Sequence, residues 1–324
     1  MISRRGCVLA AVAAIVFVGS LWAFFGGWYG SGPLEKERHF IVPNGASLAA
    51  VAERLEEQGV IRSATGFTLR ARFFGGGSGI KAGEFAIPPH ASPSRVLAIL
   101  SSDDVIRRFV TVPEGMPSIM VYERLMAQQA LSGDLVVPKE GSVLPDSYAF
   151  EKGEPREAVL RRMQAAMSRT IKELWPARAS NLVVKTPEEA ITLASIVEKE
   201  TGKPSERRMV AGLYSNRLRT GMLLQADPTI IYPITKGKRL GRRILQSEIR
   251  AVNDYNTYTM VGLPKGPITN PSRASIAAVL NPAKTEALYM VADGTGGHVF
   301  ANTLEEHNRN VAKWFAIRRE RGEL

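Results

Sequence analysis

Residues 186–201 read "TPEEAITLASIVEKET", and this stretch sets both the class of the fold and the place where chemistry is sought. Thr186 stands as an N-cap, Pro187 falls in the first turn, and Glu189 lies three residues beyond the cap, a pattern that starts a helix. If the helix runs on through "ASIVEKET" (194–201), it carries Glu198 and Glu200 on different faces. With Ile191 as zero and about 100° per residue, Ile196, Leu193 and Val197 fall at about 140°, 200° and 240°. Glu200 falls at about 180°, inside that apolar arc, while Glu198 falls near 340° beside Ser195 and Lys199. Glu198 therefore reads as a solvated charge, with pairing to a neighbour as the second reading, and Glu200 as the anomaly. Three explanations fit a carboxylate on an apolar face. The helix has ended before it, an interior arginine pairs with it, or it lines a cleft where burial keeps it protonated near neutral pH as a general acid requires. The helical wheel by itself does not choose among them.

Outward from this helix the pattern is α+β. A second helix is expected from about Ser205 to Thr220, stopped by Gly221, and a third from the capping box "TLEE" (303–306) toward the C-terminus. Between them "ALYMVAD" and "HVFAN" read as strands joined by "GTGG". Gly294, Gly296 and Gly297 suit a hairpin turn better than a phosphate cradle, because no helix start follows them. Many loops are expected between 221 and 272. Upstream, 105–182 reads as a connecting segment: a strand in "IRRFVTV", helices near 117–130 and 155–175, and an irregular "EGSVLPDSY" (140–148) whose Pro145 excludes a continuous helix. Residues 33–104 form a smaller unit. The strand "RHFIV" is closed by a Pro-Asn-Gly turn, and a helix capped by Ser47 carries the stripe Leu48, Val51, Ala52 and Leu55. A second helix around 65–74 ends in the flexible "GGGSG", and a strand "GEFAIP" and a short helix capped by Ser92 follow. The first four elements of this β-α-α-β-α order resemble a LysM-like carbohydrate-binding fold.

No charged residue occurs between Arg5 and Glu35, and the apolar run 7–29 exceeds the roughly 20 residues that cross a hydrocarbon core. Arg4 and Arg5 in front of it predict a cytoplasmic N-terminus, and Trp22, Trp28 and Tyr29 suit the far interface. The run is longer than a usual signal core, which favours a retained inner-membrane anchor over a signal peptide cleaved at Gly30–Gly32. The expected organisation is an anchor at 1–32, a LysM-like domain at 33–104, the connecting segment at 105–182 and a catalytic α+β domain at 183–324, everything past the anchor being extracytoplasmic. A net charge of +11 suits anionic lipid headgroups or an acidic polymer. The densest basic run, "KGKRLGRR" (236–243), has no aromatic interleaving, which together with the anchor argues against nucleic acid. It reads as a solvated loop, with contact to peptide carboxylates or headgroups as the second reading. The single cysteine, Cys7, lies in the apolar run, and the four histidines form no ligand pattern, so no disulfide, metal or cofactor is expected.

"LASIVEKETG" (193–202), "NRLRTGMLLQADPTIIY" (216–232), "YNTY" (255–258), "GLPKGPI" (262–268) and "VADGTGGHVF" (291–300), in this order and spacing, resemble the endolytic murein transglycosylases of the MltG or YceG type. The anchor, the LysM-like segment and "LPDSY" extend the resemblance over nearly the whole chain. It implies that Glu200, the second glutamate of "EKET", is the catalytic residue. It also implies cleavage of the β-1,4 bond between N-acetylmuramic acid and N-acetylglucosamine, with 1,6-anhydro ends as product. Glycan strands, the cytoplasmic membrane and peptidoglycan synthases are the implied partners. Gln225, Asp227, Tyr255, Asn256 and Tyr258 have side chains suited to sugar hydroxyls, acetamido groups and sugar faces. Turn capping by Asp227 and Asn256 and core packing by the tyrosines are equally open, and His298 reads as a structural hydrogen-bonding residue at a strand end. The rival functions are a hydrolytic muramidase using Asp227 as second carboxylate and a scaffold that grips glycan without cutting it.

Overall fold

The computed structural model of the chain describes residues 4–75 and 79–323. The side chains of Arg4, Arg5 and Cys7, and residues 76–78 of the glycine-rich stretch, lie outside the described residues. The chain is mixed α+β and divides into two compact units, Met1–Arg108 and Phe109–Leu324.

In the first unit, helix α1 (Arg4–Tyr29) contains the window Val12–Tyr29 with mean hydropathy 1.6, long and apolar enough to cross a membrane or to act as a signal sequence. Strands β1 (Arg38–Val42) and β2 (Gly83–Ile87) pair antiparallel with Phe40 opposite Phe85. Helices α2 (Leu48–Glu57) and α3 (Ala64–Phe74) lie between them in sequence, and α4 (Pro93–Ser101) follows. All three start on a serine whose hydroxyl accepts a backbone N–H: Ser47 from Ala50, Ser63 from Gly66 and Ser92 from Arg95. Gly59, at φ +69°, takes the left-handed turn that ends α2. Val51, Ala52 and Leu55 bury against Phe40, Phe67, Phe85 and Ile87, so the expected β-α-α-β-α order builds one small core. One expectation is corrected. Trp28 belongs to that core and not to a membrane interface: it is 2% exposed, its ring 5.8 Å from Phe67 and 5.9 Å from Phe74. Trp22 and Tyr29 remain exposed.

The second unit opens with β3 (Arg108–Thr111), α5 (Ser118–Met126), β4 (Ser147–Phe150) and α6 (Arg156–Leu174), packed around Val110, Val121, Leu125, Phe150 and Met163. β4, paired with β3, has no counterpart among the expected elements. Its four residues, following the irregular stretch 140–146, show too little alternation to stand out. Then come α7 (Pro187–Glu200), α8 (Arg207–Arg219), α9 (Asp227–Thr235), α10 (Gln246–Ile249) and α11 (Arg273–Leu280). Leu193, Ile196, Val197, Val210, Leu213, Ile276 and Val279 join α7, α8 and α11 in one core. The hairpin of β5 (Tyr289–Ala292) and β6 (His298–Ala301) turns through Gly294 and Gly296, both at positive φ, before α12 (Leu304–Glu320). α9 lies where loop was expected. Its prolines disguise it, although Pro228 occupies the first turn, where no N–H is needed.

Candidate active site

Helix α7 is enclosed on almost every side. From Thr192 to Val197 each residue is at most 5% exposed, Ser195 included. The solvated face expected for Glu198 is therefore absent, and that expectation is corrected. The Glu198 side chain is 4% exposed and accepts from the Ser272 N–H (2.8 Å) and hydroxyl (2.6 Å), with Arg207 Nη2 at 3.4 Å. It ties α7 to α8 and to the cap of α11.

Glu200 is held differently. It ends α7, and its Oε1 is buried with no hydrogen-bond partner. Burial and, second, the charge of Asp227 push its pKa up to about 7, against the opposing pull of the Tyr214 hydroxyl and the Arg217 guanidinium. The carboxyl is thus poised between its two protonation states near neutral pH.

Tyr214 and Arg217 were not singled out in the sequence, though a signal exists. Val210, Leu213, Tyr214 and Arg217 fall at i, i+3, i+4 and i+7, which puts an arginine on the buried stripe of α8. Arg217 is 8% exposed and donates to the carbonyls of Leu288 (2.7 Å) and Leu224 (2.6 Å). It fixes β5 and the "LLQADP" turn beside the acid.

That turn is fastened to "YNTY" by two threonines. Thr257 Oγ1 accepts from Ala226 N at 3.0 Å and lies 2.8 Å from Thr229 Oγ1, while Gln225 N donates to Thr257 O. Gln225 itself has left-handed backbone, φ +49°, and an exposed side chain. Asp227, the first residue of α9, accepts from the Tyr258 hydroxyl at 2.6 Å. Burial, and then this contact, raise the Tyr258 pKa, so its hydroxyl stays protonated and donating.

Glu200, Asp227 and Tyr258 are thus brought together. Asn256 and Tyr255 are placed otherwise. Asn256 is fully buried, its Nδ2 donating to the carbonyls of Ile249 (3.0 Å) and Ala251 (2.7 Å) and its Oδ1 accepting from Tyr258 N. Of the two readings open for Asn256, these bonds favour turn capping, since both amide hydrogens and one carbonyl lone pair are engaged. Tyr255 packs on Tyr232 with ring centroids 4.8 Å apart. Behind Tyr232 lies a second carboxyl the sequence reading passed over, Glu140, which accepts from Ser118 N and whose pKa burial raises.

His298 forms the structural bond expected of it. Its Nδ1 lies 2.8 Å from Glu206 Oε2, and Glu206 also accepts from the hydroxyl of Thr201, the residue directly after Glu200. In the basic run, Lys238 pairs with Glu123 and Arg242 with Glu248. Among the described residues, no three His, Cys, Asp or Glu side chains gather as a metal site.

Residues 40–313, which include all of these groups, match the model of the YceG-like family. The chain belongs to the YceG-like family. A relative from Bacillus subtilis (strain 168), named endolytic murein transglycosylase, is 27% identical over 89% of this chain and 89% of its own length. Relatives of the same name from Streptococcus pneumoniae (strains D39 and R6) are 38% identical over 54% of this chain, a match that spans 32% of their length. A crystal structure of a YceG-like protein from Listeria monocytogenes superposes with a TM-score of 0.54 at 25% identity, covering 85% of this chain and 98% of that one.

Proposed function

We propose that this YceG-like chain is an endolytic lytic transglycosylase that cuts peptidoglycan glycan strands, with Glu200 as its single acid and base. One observation carries the reading: a carboxyl poised near pH 7, with an unpartnered buried oxygen, in a family whose curated relatives bear that name. Protonated Glu200 gives its proton to the glycosidic oxygen as the bond between N-acetylmuramic acid and N-acetylglucosamine breaks. The 2-acetamido oxygen of the substrate closes on the anomeric carbon, replacing a protein nucleophile. The Glu200 carboxylate then takes the proton of the C6 hydroxyl, whose oxygen displaces the acetamido group and forms the 1,6-anhydro ring. Each proton lost by Glu200 is thereby recovered within the turnover. A group of this kind contributes about 10²–10⁴-fold, and positioning of the strand supplies the rest. In this reading Tyr258, Asp227 and Gln225 position sugar, Tyr255 with Tyr232 offers an aromatic surface, and Asn256 shapes the loop beneath them. The first unit acts as a LysM-like glycan grip, and α1 as an anchor with the catalytic unit outside the inner membrane, within reach of synthases.

A second reading is favoured by the influence of Asp227 on Glu200. In a hydrolytic muramidase Asp227 would activate water. Incubation with purified glycan and mass analysis separates the two. Ends lighter by one water are anhydro ends and support the transglycosylase, reducing ends support the muramidase, and absence of products leaves a binding scaffold.

A further inference from the structure

A cavity of about 570 Å³ in the second unit has walls that none of these roles explains. Met116, Met120, Ile231 and Leu240 make it apolar, and Lys199 and Arg239 bring two cations to it. Among the described residues neither cation has an ion-pair partner, and both are exposed. The other charges at the cavity are matched: Lys238 by Glu123, and Glu114 by Arg207 at 2.6 Å. The wall formed by 237–240 depends on Gly237, at φ +81°, where a Cβ would come within 2.7 Å of Pro117. Two lining residues adjoin the acids along the chain: Lys199 precedes Glu200, and Pro228 follows Asp227. An occupant matched to this place is anionic and carries small apolar groups, and the chain neighbours Lys199 and Pro228 bring it within one residue of Glu200 and Asp227 along the backbone.

We infer that the cavity receives the peptide branch of the glycan strand, with Lys199 and Arg239 facing its carboxylates and the apolar walls its alanine methyls. The inference rests on peptidoglycan being the substrate. It makes Lys199 and Arg239 specificity-determining residues for strands that still bear peptide, and gives part of the "KGKRLGRR" run a ligand.

The test uses the full chain in detergent with Glu200→Gln, so that nothing is cut. Soluble glycan oligomers are compared with and without their peptides, the latter prepared by amidase digestion. Peptide-bearing oligomers should bind about fivefold more tightly, the scale of two exposed charge pairs. Adding Lys199→Ala and Arg239→Ala should bring the two affinities together, whereas Arg239→Lys alone should keep the preference. Equal affinities before those changes, or a fivefold preference surviving them, overturns the inference. Wild-type protein is assayed for cleavage in parallel. Cleavage with equal affinities defeats this inference alone, whereas a preference without cleavage supports it and defeats the catalytic reading.

Discussion

Burial raises the pKa of Glu200 from an ordinary 4.5 to about 7 in the folded chain, a shift that keeps the acid protonated for catalysis and makes both activity and stability fall as pH rises. The acid must enter turnover protonated. Hence kcat/KM on soluble glycan should be flat below pH 7 and fall about tenfold per unit above it, a limb that a pH series would reveal as missing if Glu200 were not the acid. For stability, the folded state holds the proton more tightly, so nothing is lost below about pH 4.5, where both states are protonated. Stability declines as pH rises from 4.5 to 7, and above 7 the folded protein carries a deficit on the order of 3 kcal/mol. Glu200→Gln should therefore abolish cleavage yet raise the melting temperature at pH 8.5, with the gain vanishing at pH 4. A melting temperature unchanged or lowered at pH 8.5 would show that the carboxylate is not strained by burial. Asp227→Asn keeps shape and hydrogen bonding but cannot act as base. It should retain measurable cleavage with anhydro ends, and its complete loss in folded protein, with reducing ends from the wild type, would favour the two-carboxylate mechanism.

At the scale of elements, α7 shows how far periodicity reaches. Its cap at Thr186 was legible, since the signal is local and the Thr186 hydroxyl accepts from Glu189 N. The same holds for the caps of α2, α4 and α12, and the apolar arc correctly placed Glu200 among buried groups. The inference about Glu198 failed because a helical wheel presumes one wet face, and α7 is covered on its other side by Ser272 and Arg207. Ser272 lies 74 residues away and no local pattern announces it, whereas Tyr214 and Arg217 show in the buried stripe of α8 but only the fold sets that stripe against Glu200. Asn256 was legible as an important residue of "YNTY" but not as a buried one, because only the fold of 248–258 shows its amide already bonded. The two glutamates of "EKE" should consequently respond in opposite directions. Glu198→Gln weakens the bonds to Ser272 and leaves Arg207 with less charge to meet, and should lower stability by roughly 1–3 kcal/mol. Chemical denaturation at pH 8 checks this: Glu198→Gln should unfold earlier than wild type and Glu200→Gln later.

For the whole molecule the question is whether α1 stays attached. Its apolar length fits an anchor and a signal sequence alike. Trp28 separates them physically. A signal peptide is discarded, yet this side chain, on the far end of α1, fills the core of the first unit between Phe67 and Phe74. Cleavage at Gly30–Gly32 would remove it, at a cost of about 3–5 kcal/mol by analogy with large core truncations, a large share of the stability of a small domain. Burial of Trp28 therefore predicts retention, and two shortened forms, each exported behind a cleavable signal, test it. A chain beginning at Gly26 keeps Trp28 and should yield a soluble protein whose first unit melts near the full-length temperature. A chain beginning at Ser31 lacks it and should melt several degrees lower or lose its first unit to proteolysis. Both should retain cleavage, because Glu200 and its neighbours belong to the other unit. KM for glycan should be higher in the Ser31 form wherever its first unit, the proposed glycan grip, is lost. Mass spectrometry of the native protein gives the decisive reading: a chain that still carries residues 1–29 is anchored, and a mature N-terminus near residue 31 would make α1 a signal and Trp28 dispensable.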